Sequence, residues 1–363
     1  MTLMIRRTKF FLFLFFFSIA HHFFPKNSAE EDGPLSWSDF FGQSLQVATE
    51  SGLFQVYQSL PSCAGAEGDA HQVCSSFGTS EVAMAFVPPQ RTDTVYFLIH
   101  GAGHTSLSWS MVADRLRMHS RVVAMDLRGH GLTSTSDDAD LSLDRLALDC
   151  AGVLRALFKV ACGGGEHSEV GWPSIIAVGH SMGAAVATRV SAANLVPLSG
   201  LVAIDLVEGT AISAIPKSRA FIASRPVAFA SERAAIRWAI SAGMPKRLQA
   251  ARVSIPAQLL PTKDHEGSSL PSGALFRWRC DLMATERFWL DWYQGMSESF
   301  LNSKARKLLI LAGTDRLDKP LMIGQMQGRF QVVILPESGH CAHEDQPELT
   351  ADHLFQFKLR YGI

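Results

Sequence analysis

The sequence predicts an α/β fold in which helices cover both faces of a mostly parallel sheet. Short apolar runs alternate with helical patterns from residue 94 onward, which is typical of parallel strands joined by crossover helices. Hydrophobic residues make up 47% of the chain and charged residues 18%, a composition that supports a large core and argues against disorder. The length of 363 residues allows one large domain with insertions or two ordinary domains.

The expected elements follow one another in a regular order. Strands are expected at residues 95–99, 121–125, 175–178, 201–204, 307–311 and 331–335. Helices are expected at residues 109–117, 143–160 and 184–193. The strands read as buried apolar runs, and the helices carry apolar residues at intervals of three and four. This alternation implies right-handed crossovers and therefore a sheet that is buried on both faces.

The strand rhythm stops at residues 210–303, where the sequence predicts a helical cap insertion. Segments 216–252 and 274–301 look helical and carry most of the tryptophans. A helical insertion between two strands of an α/β sheet favours a cap over the carboxyl edge of the strands, where such folds bind ligands. The alternative is an ordinary helical subdomain in which the tryptophans fill a core, and this interpretation is preferred for most of Trp238, Trp278, Trp289 and Trp292.

Residues 1–33 form a hydrophobic N-terminal segment that is set apart from the domain at residues 34–363. A basic start, a Phe-rich apolar run and small residues near Ala20 are typical of a secretory signal peptide. The run falls short of the roughly 20 apolar residues that a membrane span needs, so a retained anchor is a weaker alternative. A third interpretation is an extension introduced by the choice of start codon.

Charge and cysteine content exclude some classes of partner and site. The 33 Lys and Arg residues balance 34 Asp and Glu residues, so no overall basic field favours nucleic acid. Six dispersed cysteines make no disulfide scaffold, and no Cys/His spacing indicates zinc. Cys63 and Cys74 flank part of a Gly-, Ser- and Ala-rich stretch at residues 61–80, which is expected to be a flexible loop, and they could pair in an oxidising compartment.

The sharpest motif is Gly179-x-Ser181-x-Gly183, which lies directly between an expected strand and an expected helix. A nucleophile on a tight strand-to-helix turn requires a strained backbone, and the flanking glycines let neighbouring chain approach closely. The helix that follows directs its N-terminal amides at the serine and favours negative charge there. In this context the motif predicts Ser181 as a catalytic nucleophile.

A serine nucleophile needs a general base, and the chain order favours His340. This histidine follows the last expected strand and a turn, as in hydrolases whose triad runs serine, acid, histidine. An imidazole can take the serine proton and return it to the leaving group. His343 is the competing histidine and is expected at the surface or behind His340.

Two positions can supply the acid that orients His340. Asp205 directly follows one expected strand, whereas Asp315 and Asp318 follow the next strand along the chain. Both positions lie at the carboxyl edge of a parallel sheet, so either could reach the histidine. Topology favours Asp315, although an aspartate at that place also commonly caps the next helix.

Backbone amides are expected to hold the oxyanion. The turn at residues 100–103 reads His-Gly-Ala-Gly and resembles the HGGG-type turn, so the Ala102 amide is one candidate donor. The Met182 amide, which follows the nucleophile, is the other. Arg128 and His130 lie in a further turn at this edge and are expected to bond loop carbonyls.

Longer segments resemble one family, the protein phosphatase methylesterases of the α/β-hydrolase superfamily. The resemblance is carried by HGAGH with LSW at 100–109, GHSMG at 179–183, IDLVEGTA at 204–211, ARVS at 251–254, LAGTDRLD at 311–318, and IGQMQG at 323–328 leading to GH at 339–340. It covers about residues 35–60 and 91–361. The DLVEGTA and IGQMQG segments are far more specific than GxSxG.

The resemblance implies an α/β-hydrolase fold and moves the choice of acid from Asp315 to Asp205, the aspartate of the family's D-x-V-E-G-T motif. It implies a serine carboxylesterase that removes the methyl ester from the C-terminal leucine of the type-2A protein phosphatase catalytic subunit, which is also its partner. It implies no metal and no organic cofactor, and a protein of cytoplasm and nucleus that binds no nucleic acid.

The sequence departs from the family at three places. Ala102 and Ala184 replace expected glycines, which leaves the chemistry intact because only backbone amides are needed there. Residues 63–81 are an insertion, and the hydrophobic N-terminus would place the protein in the secretory pathway or on a membrane if it acts as a signal or anchor. The alternative functions are a small-molecule carboxylesterase and a non-catalytic phosphatase-binding protein.

Overall fold

A mixed sheet of nine strands runs through the computed structural model, which describes residues 32–61, 93–158, 172–262, 273–313 and 317–363. The described strands are β1 (Gln43–Thr49), β2 (Gly52–Ser59), β3 (Thr94–Ile99), β4 (Arg121–Met125), β5 (Ser134–Thr135), β6 (Ser174–His180), β7 (Gly200–Ile204), β8 (Ala228–Phe229), β9 (Leu259–Pro261), β10 (Phe276–Trp278), β11 (Arg306–Leu311) and β12 (Gln331–Ile334). Of these, β8, β9 and β10 form a separate small sheet.

Helices connect these strands in the described residues. They are α1 (Ser110–Leu116), α2 (Leu143–Phe158), α3 (Met182–Ala192), α4 (Glu208–Ala223), α5 (Glu232–Ala242), α6 (Leu248–Ala257), α7 (Trp289–Tyr293), α8 (Met296–Asn302), α9 (Lys319–Met326), α10 (Ala342–Asp345) and α11 (Pro347–Tyr361). Short 3-10 helices at Trp37–Asp39, Ser106–Trp109 and Met283–Phe288 accompany them. The strands and helices predicted from residue 94 onward, apart from the insertion at residues 210–303, match the observed ones to within two residues at each end.

The order of strands in the large sheet is β1-β2-β4-β3-β6-β7-β11-β12, with β5 paired to β2. Neighbours run parallel from β4 to β12, whereas β1, β2 and β4 pair antiparallel. The prediction of an α/β fold with a mostly parallel sheet is confirmed. Because β3, β6 and β7 are adjacent and parallel, the loops after them meet at one edge of the sheet.

The two faces of the sheet bury separate cores. Alternate residues of β3 show the division, since Val95 and Phe97 belong to one core and Tyr96 and Leu98 to the other. Helices α2 and α3 contribute to the first core, and α1 and α11 contribute to the second. Burial on both faces explains why these strands read as continuous apolar runs.

The insertion between β7 and β11 corrects the expectation that residues 210–303 are helical throughout. Strands β8, β10 and β9 pair antiparallel within it, beside helices α4 to α8. Strands of two or three residues give no alternating pattern from which they could be predicted. Its tryptophans fill cores, as preferred above: Trp278 packs edge-on against Phe229 with 5.2 Å between ring centroids, and Trp289 and Trp292 are buried in the first core.

A hairpin that the sequence did not predict precedes the parallel strands. Strands β1 and β2 pair antiparallel with Val47 opposite Phe54, and both side chains reach the first core. The link between the strands is Glu50-Ser51, which lacks the Asn-Gly or Asp-Gly signal of a two-residue hairpin. The pairing of β2 with β4 extends the sheet on this side.

Parts of the chain on which the sequence raised questions lie outside the described residues. These are residues 1–31, most of the loop expected at residues 61–80 together with Cys63 and Cys74, and the alternative acid Asp315. From Asp32 onward the chain forms one compact unit. No helix in the described part of the chain has both the length and the apolar character needed to cross a membrane.

Candidate active site

Ser181 lies on a tight turn between β6 and α3 and has backbone angles φ 51° and ψ −124°. A non-glycine residue rarely adopts this conformation, so the surrounding chain must hold it. A Cβ on Gly179 would lie 2.1 Å from the Gly183 carbonyl oxygen, and one on Gly183 would lie 2.3 Å from the Ile99 carbonyl oxygen. The two glycines therefore allow the end of β6, the start of α3 and the end of β3 to pack against one another.

The structure brings Ser181, His340 and Asp205 into contact. The Ser181 Oγ lies 3.1 Å from His340 Nε2, and His340 Nδ1 lies 2.8 Å from Asp205 Oδ2. The Asp205 side chain is fully buried, whereas that of His340 is 43% exposed. Asp205 Oδ1 also accepts a hydrogen bond from the Ala312 amide at 3.1 Å, which fixes the carboxylate plane. Such a chain of contacts can pass a proton from a serine to an imidazole.

Of the two aspartates that follow β11, Asp318 lies among the described residues and Asp315 lies outside them. Asp318 caps α9, because its Oδ1 accepts from the Leu321 amide at 3.1 Å. Its Oδ2 accepts from the Ser297 hydroxyl at 2.6 Å and links α9 to α8. Asp318 thus serves as a helix cap of the kind expected after this strand.

The turn after β3 runs directly beside the nucleophile. A Cβ on Gly101 would lie 3.3 Å from Ser181 Cβ. Neighbouring amides in this turn already have acceptors, since Gly103 donates to His130 Nε2 at 2.9 Å and His104 donates to the Gly101 carbonyl at 3.1 Å. In the described ranges no acceptor pairs with the amide of Ala102 or with that of Met182 at the start of α3.

The turn after β4 supports the turn after β3. His130 Nδ1 bonds the Arg128 carbonyl at 2.8 Å, and Arg128 Nη1 donates to the Asp137 carbonyl at 2.6 Å, as expected from the sequence. The sequence did not indicate the main partner of Arg128. Both of its remaining donor groups bond the Asp149 carboxylate on α2, at 2.7 and 2.9 Å, and this ion pair is fully buried. A bidentate pair of this kind fixes the loop geometrically.

A group of buried histidines lies behind His340. His180 Nε2 bonds the His340 carbonyl at 2.7 Å, and the His180 ring lies 4.4 Å from the His343 ring. Burial lowers the pKa of His180 and that of His343 well below the ordinary value, so both are neutral in the folded chain. His343 is fully buried and not at the surface, which was one of the two places expected for it, and its ring packs at a tilt of 38° against Trp109 with 4.2 Å between centroids.

The insertion also contributes a residue that the sequence did not single out. Tyr293, at the end of α7, lies close enough to Ser181 for that side chain to act on the tyrosine hydroxyl and lower its pKa, against a larger opposite effect of burial. Burial raises the pKa of Tyr293 to about 12, so the phenol keeps its proton at neutral pH and can donate it. No short motif marks this tyrosine, because its place depends on how the insertion packs over the sheet.

Comparison with family models and curated proteins identifies relatives over nearly the whole chain. Residues 96–353 match the alpha/beta hydrolase family. A probable protein phosphatase methylesterase 1 of Caenorhabditis elegans is 36% identical over 92% of this chain and 79% of its own length. The protein phosphatase methylesterase 1 of Mus musculus is 35% identical over 90% of this chain and 85% of its own. The human protein of the same name is 34% identical over the same shares.

Solved structures share the fold at low sequence identity. The E-2-(acetamidomethylene)succinate hydrolase is 16% identical with a TM-score of 0.61, covering 87% of this chain and 98% of that one. An esterase of Mycobacterium tuberculosis is 18% identical with a TM-score of 0.55, covering 86% and 90%. The match to the alpha/beta hydrolase family and the identity to the curated relatives show that the chain is a hydrolase of the protein phosphatase methylesterase family within the α/β hydrolases.

Proposed function

We propose that the chain is a serine carboxylesterase in which Ser181 is the nucleophile, His340 the general base and Asp205 the acid that orients it. The observation that carries this proposal is the series of contacts from Ser181 Oγ through both ring nitrogens of His340 to the buried Asp205 carboxylate. A carboxylate at Nδ1 favours the tautomer in which Nε2 accepts the serine proton.

In the acylation step, His340 Nε2 takes the proton of Ser181 while Oγ attacks the carbonyl carbon of the ester. Asp205 stabilises the imidazolium, and we assign the oxyanion to the amides of Ala102 and Met182. His340 then gives its proton to the methoxide, and methanol leaves.

Water completes the cycle by the same route. His340 takes a proton from water as the oxygen adds to the acyl carbon, and the proton returns to Ser181 Oγ when the carboxylic acid departs. None of these steps uses a metal or an organic cofactor.

We assign residues 210–303 as a cap that forms one wall of the substrate site. Two contacts support this role. Tyr293 lies close to the Ser181 side chain, which acts on its hydroxyl. A methyl carbon of Leu282 lies 2.8 Å from where a Cβ on Gly103 would be, so the insertion also touches the turn that carries Ala102. A peptide end would therefore meet the cap on its way to Ser181.

The substrate we propose is the C-terminal leucine methyl ester of the type-2A protein phosphatase catalytic subunit. The names of the relatives support a methylated protein phosphatase as the substrate class. The particular subunit and its leucine follow from the resemblance of the DLVEGTA and IGQMQG segments. The phosphatase is then both substrate and partner.

An exposed apolar patch supports a protein partner rather than a small molecule. The patch comprises Met322, Ile323 and Met326 on α9, which are 47%, 45% and 89% exposed. Met322 and Met326 lie one turn apart on the same side of α9. Exposed apolar groups of this kind commonly mark protein interaction sites. We therefore assign this patch to phosphatase docking.

Release of methanol from the methylated phosphatase catalytic subunit tests the proposed reaction. We expect Ser181→Ala to lower turnover by about 10⁴-fold or more while circular dichroism and the unfolding temperature stay unchanged. Substantial methanol release by the pure variant would refute the assignment of Ser181.

Two further measurements separate the alternative functions. We expect Met326→Asp to lower kcat/KM for the methylated phosphatase about tenfold more than that for a simple aryl ester. Equal effects on both substrates would favour a small-molecule carboxylesterase. Failure of a fluorophosphonate to label Ser181 in the folded protein would instead favour a non-catalytic phosphatase-binding protein.

The compartment we propose is the cytoplasm and nucleus, where the family resemblance places the substrate. The hydrophobic segment at residues 1–33 is the feature that opposes this assignment. Sequencing the N-terminus of the protein from its own cells separates the alternatives. Loss of about the first 20 residues would indicate the secretory pathway.

A further inference from the structure

Three side chains that can bind a metal converge beside the catalytic histidine. Cys341 directly follows His340, Glu344 lies on α10 in the same segment, and His104 belongs to the turn after β3. The His104 imidazole, the Cys341 Sγ and a Glu344 carboxylate oxygen each offer an atom, and these atoms lie within 4.8 Å of one another. The serine mechanism uses none of the three.

In the described part of the chain, the Glu344 carboxylate is buried and faces the other two side chains, His104 and the Cys341 thiol. Its side chain is 1% exposed, and neither of its oxygens has a hydrogen-bond partner there. His104 Nδ1 is also buried and unpaired, and it lies 3.5 Å from Glu344 Oε2, beyond good hydrogen-bonding distance. Burial of a carboxylate that makes no hydrogen bond of good geometry is costly, so this arrangement favours a cation between His104, Cys341 and Glu344.

We propose that His104, Cys341 and Glu344 form a binding site for one divalent transition metal ion, with Zn²⁺ the best match. Imidazole nitrogen, thiolate sulfur and carboxylate oxygen are the ligand types that zinc takes, at distances of about 2.0 to 2.3 Å. Ligand atoms now within 4.8 Å of one another need only a small contraction to surround such an ion. Water can fill a fourth position from the side of His104, which is 12% exposed.

Binding is a proton-releasing step. A bond forms between zinc and Cys341 Sγ, the S–H bond breaks, and the proton passes to the solvent buffer. The His104 nitrogen and the Glu344 oxygen bind through lone pairs without oxidation or reduction. No co-reactant is required.

The site is coupled to the proposed catalytic residues through the chain itself. Contraction around a metal moves Cys341, which is joined to His340 by one peptide bond. His340 lies 3.1 Å from Ser181 Oγ, and a misplacement of about 1 Å in such a site can cost on the order of 100-fold in rate. We therefore expect zinc to slow reaction of Ser181. This coupling rests on the proposed function, whereas metal binding does not.

Titration of the full-length, metal-stripped protein tests the site. We expect calorimetry to give one Zn²⁺ per chain, and we expect Co²⁺ to produce a near-ultraviolet thiolate charge-transfer band. Cys341→Ala should abolish the band, and Cys341→Ala and Glu344→Gln should each weaken Zn²⁺ binding at least about tenfold. Cys150→Ala, a buried thiol in the first core, is the matched control and should keep both signals.

The unfolding temperature controls for folding, because a metal that binds only the native chain must raise it. If the folded wild type does not bind zinc, the proposed site is wrong. His104 and Glu344 would then form only the ion pair seen at 3.5 Å. A charge-transfer band that persists in folded Cys341→Ala also overturns the site. Zinc that binds at this site without slowing fluorophosphonate labelling of Ser181 overturns the coupling, and failure of labelling without zinc would instead contradict the proposed function.

Discussion

The two turns that meet in the candidate active site are held in place by different means. The nucleophile turn is fixed by backbone against backbone, since added Cβ atoms on Gly179 and Gly183 would lie 2.1 and 2.3 Å from carbonyl oxygens. The histidine turn is held by side chains. Asp345 Oδ2 accepts from the Gly339 amide at 2.7 Å, and His180 Nε2 bonds the His340 carbonyl at 2.7 Å.

This difference determines which part of the site can adjust. Backbone atoms of the sheet cannot move without disturbing β3 and β6, so the nucleophile turn has one position. The histidine turn can shift when a side chain on a neighbouring segment shifts. Ser181 is therefore presented rigidly, whereas the position of His340 depends on its surroundings.

The largest effect should come from crowding the rigid turn. We expect Gly183→Ala to lower the free energy of unfolding by about 3 kcal/mol or more, because the new methyl group would meet the Ile99 carbonyl and outweigh the gain in helix propensity. Gly339→Ala should cost less than about 1 kcal/mol, since the nearest atom is a side-chain oxygen of Asp345 at 3.2 Å. If urea unfolding shows equal losses of unfolding free energy for Gly183→Ala and Gly339→Ala, the two turns are not held by different means.

The largest effect on the reaction rate, rather than on stability, should come from changing Asp205. In Asp205→Asn the side-chain oxygen keeps its bond to the Ala312 amide, so the new NH₂ group faces His340 Nδ1 and favours the wrong tautomer. We expect kcat to fall by about 10⁴-fold with the fold intact. Asp315→Asn should change kcat less than about tenfold. Loss of ester hydrolysis in the Asp315 variant alone would show that the family resemblance misassigned the acid.

A smaller effect should come from loosening the histidine turn. The Asp345 carboxylate accepts from the Gly339 amide at 2.7 Å and from the Lys246 amide at 2.8 Å. An asparagine has one acceptor oxygen, so Asp345→Asn loses one of these bonds, worth about 1 to 3 kcal/mol. We expect about a tenfold loss of kcat. The exposed Asp352→Asn on α11 is the control, and an equal loss there would contradict a local effect.

The smallest effect concerns the stability of the fold at low pH. Burial lowers the pKa of His100 well below its ordinary value, and His100 begins the turn after β3 that lies beside Ser181. The unfolded chain gains a proton below a pH of about 6.5 that the folded chain does not accept. Stability is therefore complete above that pH, and the free energy of unfolding decreases as the pH falls. We expect His100→Phe to reduce the slope of this dependence by about 1.4 kcal/mol per pH unit, measured by urea unfolding across the acid range.

In that measurement the total stability of His100→Phe will also fall, because Nε2 of His100 accepts from the Leu127 amide at 2.9 Å. The slope with pH is the informative quantity, and the same substitution at exposed His119 is the control. A slope that equals that of the wild type would mean that His100 is charged in the folded chain.

The parallel strands were predictable because each is buried on both faces and reads as an apolar run, as β3 and β6 illustrate. The β1–β2 hairpin was not, since its turn lacks a diagnostic pair of residues. The short strands β8 to β10 were not predictable either, because two or three residues cannot display an alternating pattern. Local sequence patterns therefore identified the parallel strands at the centre of the sheet but not the β1–β2 hairpin or the short strands of the insertion.

Sequence patterns were sufficient to locate the parallel strands along the chain and the glycine-flanked turn at Ser181, because both depend on residues close together in the chain. The three-dimensional packing alone shows that Asp205 lies 2.8 Å from His340 across 135 residues, that Tyr293 of the insertion lies close to Ser181, and that Glu344 is buried beside His104 and Cys341. These contacts join segments that are far apart along the chain, and sequence patterns, which reflect local contacts, do not reveal which distant segments meet.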